Sequence, residues 1–298
     1  MSRLAMPDSP QNPGKKKRTL QEILDSKKSG EKMVYMSVPD YTAARWAEMA
    51  GVDVAVVGDS LAMIAHGHPN TIPATMDMMV MHAQAIRRGA PNTFVLGCMP
   101  YQSYNTVDRA LVNATRYMQD AACDAVKPQG GKSQAHILKA LVDSGIPTAS
   151  HIGMTPHTVA MFGGFRIQGK TAEGAMKILE DALAIQDAGC FMLEFEAVPA
   201  KIATVISRQL EIPTIGIGAG VGTDGQILLC HDLLGVFTDF KPKFTKRYAN
   251  LTEVALKGIT QYIKEVKEGS FPDDDHSYGV DEKEYEKFVN LVEKRRQH

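Results

Sequence analysis

The sequence predicts a TIM (β/α)8 barrel with an N-terminal helix and a C-terminal helical extension, and three observations support this fold class. The chain has 298 residues, a length that fits two average domains or one large α/β barrel. Short apolar runs recur along it, mostly separated by segments with the apolar spacing of helices. Polar residues follow several of these runs, and in a barrel the C-terminal strand ends converge on one face. An open doubly wound sheet is the alternative, but its strand ends form a line and converge less well.

Eight strands are predicted from the apolar runs. In chain order they are Met33–Val38, Val54–Gly58, Thr93–Cys98, Ala125–Lys127, Pro147–His151, Phe191–Phe195, Pro213–Ile217 and Ile227–His231. The predicted helices between the earlier strands are Tyr41–Ala50, Met76–Arg88, Val107–Ala121, Gln134–Ser144, Ala172–Ala188 and Ala200–Gln209. This alternation indicates a parallel sheet with helical crossovers.

The two ends of the chain differ in composition from the predicted barrel. Residues 1–18 end in a Lys/Arg cluster and are predicted to be a disordered basic arm. Thr19 to Glu22 match a capping box that opens the first helix, so a single barrel domain is assigned to residues 19–278. The remaining residues, 279–298, are predicted to form an amphipathic helical tail, which would pack on the barrel or on a neighbouring subunit.

The overall composition excludes several classes of protein. The chain is 44% hydrophobic and 22% charged with a formal net charge of −1, which is ordinary for a globular protein. A near-neutral balance gives no electrostatic sign of nucleic-acid binding, and no apolar run is long enough to span a membrane. The N-terminus shows no secretory signal pattern, so a cytoplasmic location is expected.

Two features that could suggest a cofactor are interpreted as structural. None of the four cysteines lies in a CxxC pair, and Cys123, Cys190 and Cys230 lie beside apolar runs, so buried reduced thiols are expected there. The glycine-rich segment 216–220 lacks the full GxGxxG pattern and the acidic residue that accompanies it in dinucleotide-binding folds. It is predicted to be a tight turn after the seventh strand.

A set of short motifs spread over the chain carries a resemblance to one enzyme family. The motifs are Val57–Leu61, Thr71–Met76, Arg88–Pro91, Ala125–Lys127, His151–Pro156, Gly163–Phe165, Gln168–Lys170, Glu196–Pro199, Gly216–Gly220, His231–Gly235, Lys241–Phe244 and Phe271–Pro272. Through them roughly residues 19–278 resemble ketopantoate hydroxymethyltransferases, which are relatives of the phosphoenolpyruvate mutase and isocitrate lyase barrels. The resemblance implies a magnesium-assisted barrel that is usually assembled as a decamer.

The resemblance also implies a reaction. Members of this family transfer a hydroxymethyl group from 5,10-methylenetetrahydrofolate to 3-methyl-2-oxobutanoate, on the route to pantothenate. The hydrogen beside a ketone is weakly acidic, so a base must remove it while the developing enolate is stabilised. A divalent metal chelated by the 2-oxo acid provides this stabilisation as a Lewis acid. The expected partners are therefore a small 2-oxo acid, a folate and further copies of the chain.

Two charged residues at strand ends resemble catalytic positions of the family. Glu196 matches the general base; Glu194 is a competitor, because alternation along a strand puts both on the same side. The Glu-x-Val-Pro context favours Glu196. Lys127 resembles the residue that binds the substrate carboxylate, and an apolar strand end gives it little structural reason to be there.

The remaining substrate-binding positions also follow predicted strands. Asp59 resembles a metal ligand that touches substrate, and Ser60 a donor to it, although the pair could be an ordinary helix cap. Cys98 and His151, at the ends of the third and fifth predicted strands, complete the predicted set.

The chain departs from the family at two acidic positions of the metal site. Cys98 stands where the family has aspartate, and Gln129 stands where the family has glutamate. With Asp59 as the only remaining carboxylate, the set is a poor site for magnesium, which prefers carboxylate oxygen and water. A softer ion such as zinc, or loss of the metal, is the alternative. The nearby His66, His68 and His82 are interpreted as surface or packed imidazoles.

Three hypotheses follow from this departure. The chain is a working hydroxymethyltransferase with an altered metal site, an enzyme of related aldol or one-carbon chemistry on another small substrate, or an inert paralogue that binds a ligand. Retention of Asp59, Ser60, Lys127 and Glu196 argues against the inert paralogue.

Overall fold

The computed structural model describes residues 16–296 and contains a barrel of parallel strands surrounded by helices. In these residues the strands are β1 (Met33–Ser37), β2 (Val54–Val57), β3 (Phe94–Cys98), β4 (Ala125–Lys127), β5 (Ala149–Gly153), β6 (Met192–Glu196), β7 (Thr214–Ile217) and β8 (Gly225–Leu229). They form one eight-stranded sheet in the order β4-β3-β2-β1-β8-β7-β6-β5. Every neighbouring pair is parallel, as the alternation of strands and helices predicts.

The two ends of this sheet meet, which distinguishes a barrel from an open sheet. Isolated parallel bridges join Val126 to Thr148 and Gln129 to His151, and so connect β4 to β5. The predicted TIM barrel is therefore confirmed. Because all strands run in the same direction, their C-terminal ends lie together at one mouth of the barrel.

The helices largely follow the predicted pattern. They are α1 (Leu20–Ser29), α2 (Tyr41–Ala50), α3 (Leu61–Ile64), α4 (Met76–Gly89), α5 (Val107–Gln119), α6 (Ala135–Asp143), α7 (Ala172–Asp187), α8 (Ala200–Gln209), α9 (Cys230–Leu233), α10 (Leu251–Glu268) and α11 (Glu282–Arg296). The capping box is confirmed, because Thr19 accepts from the Glu22 amide and Glu22 accepts from the Thr19 amide. The short helices α3 and α9 and the long helix α10 were not predicted.

The predicted bounds of two strands were wrong by two residues. β5 begins at Ala149 and not at Pro147, because Pro147 and Thr148 precede the ladder with β6. β8 ends at Leu229, and the chain enters α9 at Cys230. His151 is consequently the middle residue of β5, whereas Glu196 is the last residue of β6.

The core consists of the strand side chains and the helix faces that cover them. Every residue of β2, β3 and β7 is buried, which is typical of parallel strands covered on both faces. All four cysteines are buried and free, which confirms the prediction for Cys123, Cys190 and Cys230. The glycine-rich segment forms a turn after β7, as predicted. Gly218 has φ +66°, and a Cβ there would lie 2.7 Å from the Phe244 ring, so a side chain would clash.

The N-terminal segment is attached to the end of the barrel opposite its C-terminal mouth. Three aspartates that directly precede β2, β4 and β8 accept from basic residues of this segment. Arg18 Nε lies 3.1 Å from Asp53, Lys17 pairs with Asp124, and Lys27 Nζ lies 2.8 Å from Asp224. Of the predicted disordered arm, residues 1–15 lie outside the described residues, and its last residues contact the barrel.

A second compact unit begins at Asn250 and contains α10 and α11. Helix α11 lies within the segment predicted as an amphipathic tail. Apolar side chains on both helices are exposed, including Ile259 and Ile263 of α10 and Phe288 and Leu291 of α11. Within residues 16–296, no helix combines the length and apolar character needed to cross a membrane.

Candidate active site

A cavity of about 700 Å³ opens at the C-terminal mouth of the barrel. It contains every residue predicted for the site, although these residues come from five different strands or the loops that follow them. The predicted residues lining it are Asp59, Ser60, Cys98, Lys127, Gln129, His151 and Glu196. Glu194, the competitor of Glu196, lines the same cavity.

Four charged or titratable side chains form a row across the floor of this cavity. Lys127 Nζ contacts Glu194 Oε2, and both side chains are almost completely buried. His151 lies between the two glutamates, with Nδ1 3.7 Å from Glu194 Oε1 and Nε2 3.1 Å from Glu196 Oε2. Period-two alternation aligns Glu194 and Glu196, and the parallel register places His151 opposite Glu194.

The two glutamates are therefore distinguished by their partners rather than by their side of the strand. Glu194 is neutralised by Lys127, whereas the ion-pair neighbour of Glu196 is a histidine nitrogen that is not aligned for a hydrogen bond. That nitrogen, His151 Nε2, is buried and without a hydrogen-bond partner, so it is available to a ligand in the cavity.

Burial and neighbouring charges set the protonation of this row. Burial raises the pKa of Glu196 above its ordinary value; His151 opposes this effect, and the Glu194 and Asp59 charges add to it. Burial would lower the pKa of Lys127, but the surrounding Cys98, Glu194 and Asp59 together raise it, so the ammonium keeps its charge. A carboxylate of raised pKa in the same cavity as a fixed cation is suited to accepting a proton from carbon.

Asp59 is held by a separate polar network. Gln129 Nε2 donates to Asp59 Oδ2 at 3.2 Å, and His157 Nε2 lies 2.9 Å from the same oxygen. The His157 backbone amide donates to Gln129 Oε1 at 3.2 Å, and Tyr104 connects His157 Nδ1 at 2.7 Å with the Gln129 amide at 3.1 Å. Burial would raise the pKa of Asp59, but His157, Lys127 and His151 hold it below its ordinary value.

Ser60 and Cys98 complete the predicted set. Ser60 precedes α3 but makes no side-chain cap bond; its hydroxyl lies 3.5 Å from that of Ser37. Ser60 therefore occupies the N-cap position of α3, but its side chain does not cap the helix. Cys98 is the last residue of β3, and burial raises the pKa of its thiol to about 12, with Lys127 opposing the effect.

The chain around Glu196 takes an unusual backbone path that fixes this side chain at the strand end. Ala197 has φ +50°, a left-handed conformation that is uncommon for a residue with a side chain. Gly153, opposite Glu196 on β5, has φ +95°, and a Cβ there would lie 2.3 Å from the Glu196 carbonyl oxygen. Backbone strain of this kind is concentrated at functional sites.

Two residues of the site were missed from the sequence, His157 and Tyr104. His157 follows the motif His151–Pro156 directly, in a 3-10 turn, and its side chain is buried against Asp59. Tyr104 lies in a loop after β3 with no pattern that distinguishes it. The histidines considered earlier are not among the residues that line the cavity, and His66 Nε2 contacts His82 Nε2 at 2.9 Å.

One group of side chains in the described part of the chain could hold a metal ion. It consists of His151, Glu194 and Glu196, whose ligand atoms lie within 4.8 Å of one another. This group differs from the predicted metal positions Asp59, Cys98 and Gln129. The Glu194 carboxylate already pairs with Lys127, and the two ring nitrogens of His151 face different glutamates.

Comparison with known proteins identifies the relatives of this chain. A family model described as ketopantoate hydroxymethyltransferase matches residues 17–274. The chain is 84% identical to 3-methyl-2-oxobutanoate hydroxymethyltransferase 1 of Methylibium petroleiphilum, over 95% of this chain and 97% of that protein. It is 43% identical to the 3-methyl-2-oxobutanoate hydroxymethyltransferase of Thermus thermophilus, over 88% of this chain and 100% of that protein.

Solved structures with the same fold are more distant in sequence. A phosphonopyruvate hydrolase superimposes with a TM-score of 0.58 at 12% identity, covering 95% of this chain and 100% of that one. A 2,3-dimethylmalate lyase of the PEP mutase/isocitrate lyase superfamily gives 0.58 at 14% identity, covering 87% of this chain and 91% of that one. At this identity the likeness supports the barrel fold only.

Proposed function

Because the chain belongs to the ketopantoate hydroxymethyltransferase family, we propose that it transfers a hydroxymethyl group to 3-methyl-2-oxobutanoate. In the proposed reaction 5,10-methylenetetrahydrofolate and water supply the group, and tetrahydrofolate leaves. The observation that carries the proposal is the row of Lys127, Glu194, His151 and Glu196 in one cavity. It brings together a fixed cation and a carboxylate of raised pKa, which an enolate-forming enzyme requires.

The roles in this reaction follow from charge and position. The Lys127 ammonium attracts the carboxylate of the 2-oxo acid, and His151 Nε2 donates to its oxygen. Glu196 removes the proton from the carbon beside the ketone, and that carbon then attacks the one-carbon unit. The raised pKa of Glu196 lets it hold the proton that it accepts, and its side chain, 15% exposed at the cavity, can exchange that proton with solvent.

The size of the cavity supports a second, larger substrate. A five-carbon 2-oxo acid cannot fill about 700 Å³, so most of the cavity remains for a co-substrate. Its lining includes the exposed aromatic rings Phe165 and Phe240 and the exposed cations Arg166, Lys170 and Lys243. Aromatic rings suit a flat pteridine, and the cations suit the glutamate carboxylates of a folate.

The divalent metal implied by the family does not fit the residues at the expected positions. Gln129 directs its amide N–H, not its oxygen, at Asp59, so it cannot act as a ligand in this arrangement. Cys98 offers sulfur where magnesium prefers oxygen. The roles proposed above are therefore carried by this chain's own side chains.

The other two hypotheses receive less support. An enzyme of related aldol chemistry would use the same row of side chains, but the high-identity relatives are named for hydroxymethyl transfer. An inert paralogue would not need the buried Lys127–Glu194 pair, because removing even a paired set of charges from water costs desolvation free energy. The cytoplasmic location expected from the N-terminal sequence and the decameric assembly implied by the family resemblance both stay predictions.

Deuterium exchange tests the proposed function directly. Wild-type protein is expected to exchange the hydrogen beside the ketone of 3-methyl-2-oxobutanoate in D2O and, with 5,10-methylenetetrahydrofolate, to form the hydroxymethylated product. Glu196→Gln is expected to abolish exchange, with a loss of at least about 100-fold, and to bind the 2-oxo acid in calorimetry. Unchanged exchange in Glu196→Gln would remove the assigned base. Absence of both exchange and turnover in the wild type would reject the function.

A further inference from the structure

The hydrogen bonds around Asp59 determine which end of the Gln129 side-chain amide faces the carboxylate. If the Gln129 amide were reversed, its oxygen would face the Asp59 carboxylate and its N–H2 would face the His157 backbone N–H. Both contacts would then be repulsive, so the orientation with Nε2 toward Asp59 is the only one that satisfies both partners. Gln129 is thus a donor to Asp59, not a co-ligand with it.

A second nitrogen lies close to the same carboxylate oxygen, although it is not aligned for a hydrogen bond. His157 Nε2 lies 2.9 Å from Asp59 Oδ2, and its side chain is 4% exposed. Tyr104 holds the imidazole ring of His157 in place through the other ring nitrogen. Its hydroxyl lies 2.7 Å from His157 Nδ1 and accepts a hydrogen bond from the Gln129 backbone amide. Asp59 Oδ2 therefore has two nitrogen neighbours, and at most the other oxygen remains for a ligand.

The charge of the site is consistent with this arrangement. Where the resemblance implies two further carboxylates, this chain has the neutral Gln129 and the sulfur of Cys98. Compared with a site that has two more carboxylates and a bound divalent cation, this cavity lacks two negative and two positive charges, so its net charge is the same. Lys127 is a buried cation that lines the cavity. Arg166, Lys170 and Lys243 also line it, but they are exposed.

We propose that Gln129 and His157, supported by Tyr104, take the place of a divalent cation as the partners of Asp59, and that the site binds its 2-oxo acid without a metal ion. In this arrangement Gln129, His157 and Tyr104 are positioning residues: they fix the carboxylate of Asp59 against the cavity. The statement about metal binding is independent of the proposed function, whereas the statement about the 2-oxo acid rests on it.

Metal binding is tested with the wild type and a variant that restores the two carboxylates, Cys98→Asp with Gln129→Glu. Each protein is measured by elemental analysis after purification without chelator and by calorimetric titration with Mg²⁺, Mn²⁺ and Zn²⁺. We expect no stoichiometric ion in the wild type and an affinity at least about tenfold higher in the double variant. One tightly held divalent ion per wild-type chain, at Asp59 or at His151, Glu194 and Glu196, overturns the proposal.

Binding of 3-methyl-2-oxobutanoate, titrated with and without EDTA, separates this inference from the proposed function. We expect EDTA to leave the wild-type affinity unchanged and to weaken binding to the double variant. A wild-type affinity that falls with EDTA contradicts the inference. If the 2-oxo acid fails to bind under either condition, the proposed function fails, and the metal titration alone decides the inference.

Variants of His157 test the positioning role even if the double variant does not fold. His157→Gln keeps an N–H that can reach Asp59, whereas His157→Leu does not. We expect His157→Leu to raise the KM for the 2-oxo acid about tenfold, with a smaller change in kcat, and His157→Gln to restore most of it. Equal KM values in wild type and His157→Leu, at equal thermal stability, would remove His157 from this role.

Discussion

At the scale of single residues, the chemistry of the cavity depends on the charge of Glu196. Burial raises its pKa, and His151 is the neighbour that opposes this rise. Because only the ionised carboxylate can accept a proton, exchange should be lost as the pH falls through this raised pKa.

The pH profile of deuterium exchange should therefore move when His151 is removed. His151→Gln removes the group that lowers the pKa of Glu196, so this pKa rises further. The acid limb of the exchange profile should therefore shift to higher pH. Glu194→Gln is the matched variant of opposite sign, because removal of the Glu194 charge lowers the pKa of Glu196. Measurement of exchange from pH 4 to 9 checks both shifts. An acid limb that moves in the same direction in both variants would contradict this assignment of charges.

The residue scale also shows what a sequence could and could not predict about the site. Glu196, Lys127, Asp59 and Ser60 were predicted by their match to family motifs, and all line one cavity. His157 was missed because its contact with Asp59 depends on a 3-10 turn, which brings a residue from the loop after β5 against one from the loop after β2. Neither periodicity nor spacing carries information about such a contact.

At the scale of elements, the two ends of the barrel have different roles, one forming the cavity and the other binding the N-terminal segment. The cavity lies at the C-terminal strand ends, whereas partly buried aspartates before β2, β4 and β8 connect the opposite end to the N-terminal segment. Asp224 is the most connected of these aspartates. Its Oδ2 accepts from Lys27 Nζ, from the backbone amide and hydroxyl of Thr214, each at 2.8 Å, and from the Ser207 hydroxyl at 3.4 Å.

Asp224→Ala should therefore destabilise the barrel without changing its chemistry. Loss of a charged acceptor with buried donors is expected to cost about 2–3 kcal/mol of unfolding free energy. Lys27→Met removes only the ion pair and should cost less, about 1 kcal/mol or below. Urea unfolding measures both, and kcat/KM of the folded variants should equal that of the wild type. A fall in kcat/KM at unchanged stability would contradict the separation of the two ends.

The elements that could be predicted are those whose side-chain pattern decides their structure. β4, α2 and α8 were predicted to the residue, because apolar runs or helical spacing end abruptly at their bounds. The predicted bounds of β5 were two residues too early, since Pro147 and Thr148 were included in the strand but lie before the ladder with β6. Hydrogen-bond register, which depends on the neighbouring strand, sets the bounds in such cases.

At the scale of the whole molecule, α10 explains why part of the chain could not be assigned from the barrel pattern. The barrel repeat ends with α9, and the helix Leu251–Glu268 belongs to a separate compact unit. Its apolar residues recur at helical spacing, but in the described residues none of them is buried. The side chains of Ile259, Tyr262, Ile263 and Val266 are each 45–56% exposed and lie on one face at i, i+3, i+4 and i+7. An exposed apolar stripe of this kind is typical of an interaction surface.

We expect this face of α10 to join copies of the chain, in agreement with the oligomer that the family resemblance predicts. Ile259→Glu with Ile263→Glu should lower the native mass measured by light scattering, because two buried charges in an apolar contact are unfavourable. Lys257→Glu with Lys264→Glu changes the opposite face of the same helix and serves as the control, for which the mass should not change. A wild-type mass of 32.5 kDa, that of one chain, would contradict the prediction, as would equal masses for both double variants. Because every residue lining the cavity precedes α10, deuterium exchange should survive in both double variants, and so should separate assembly from chemistry.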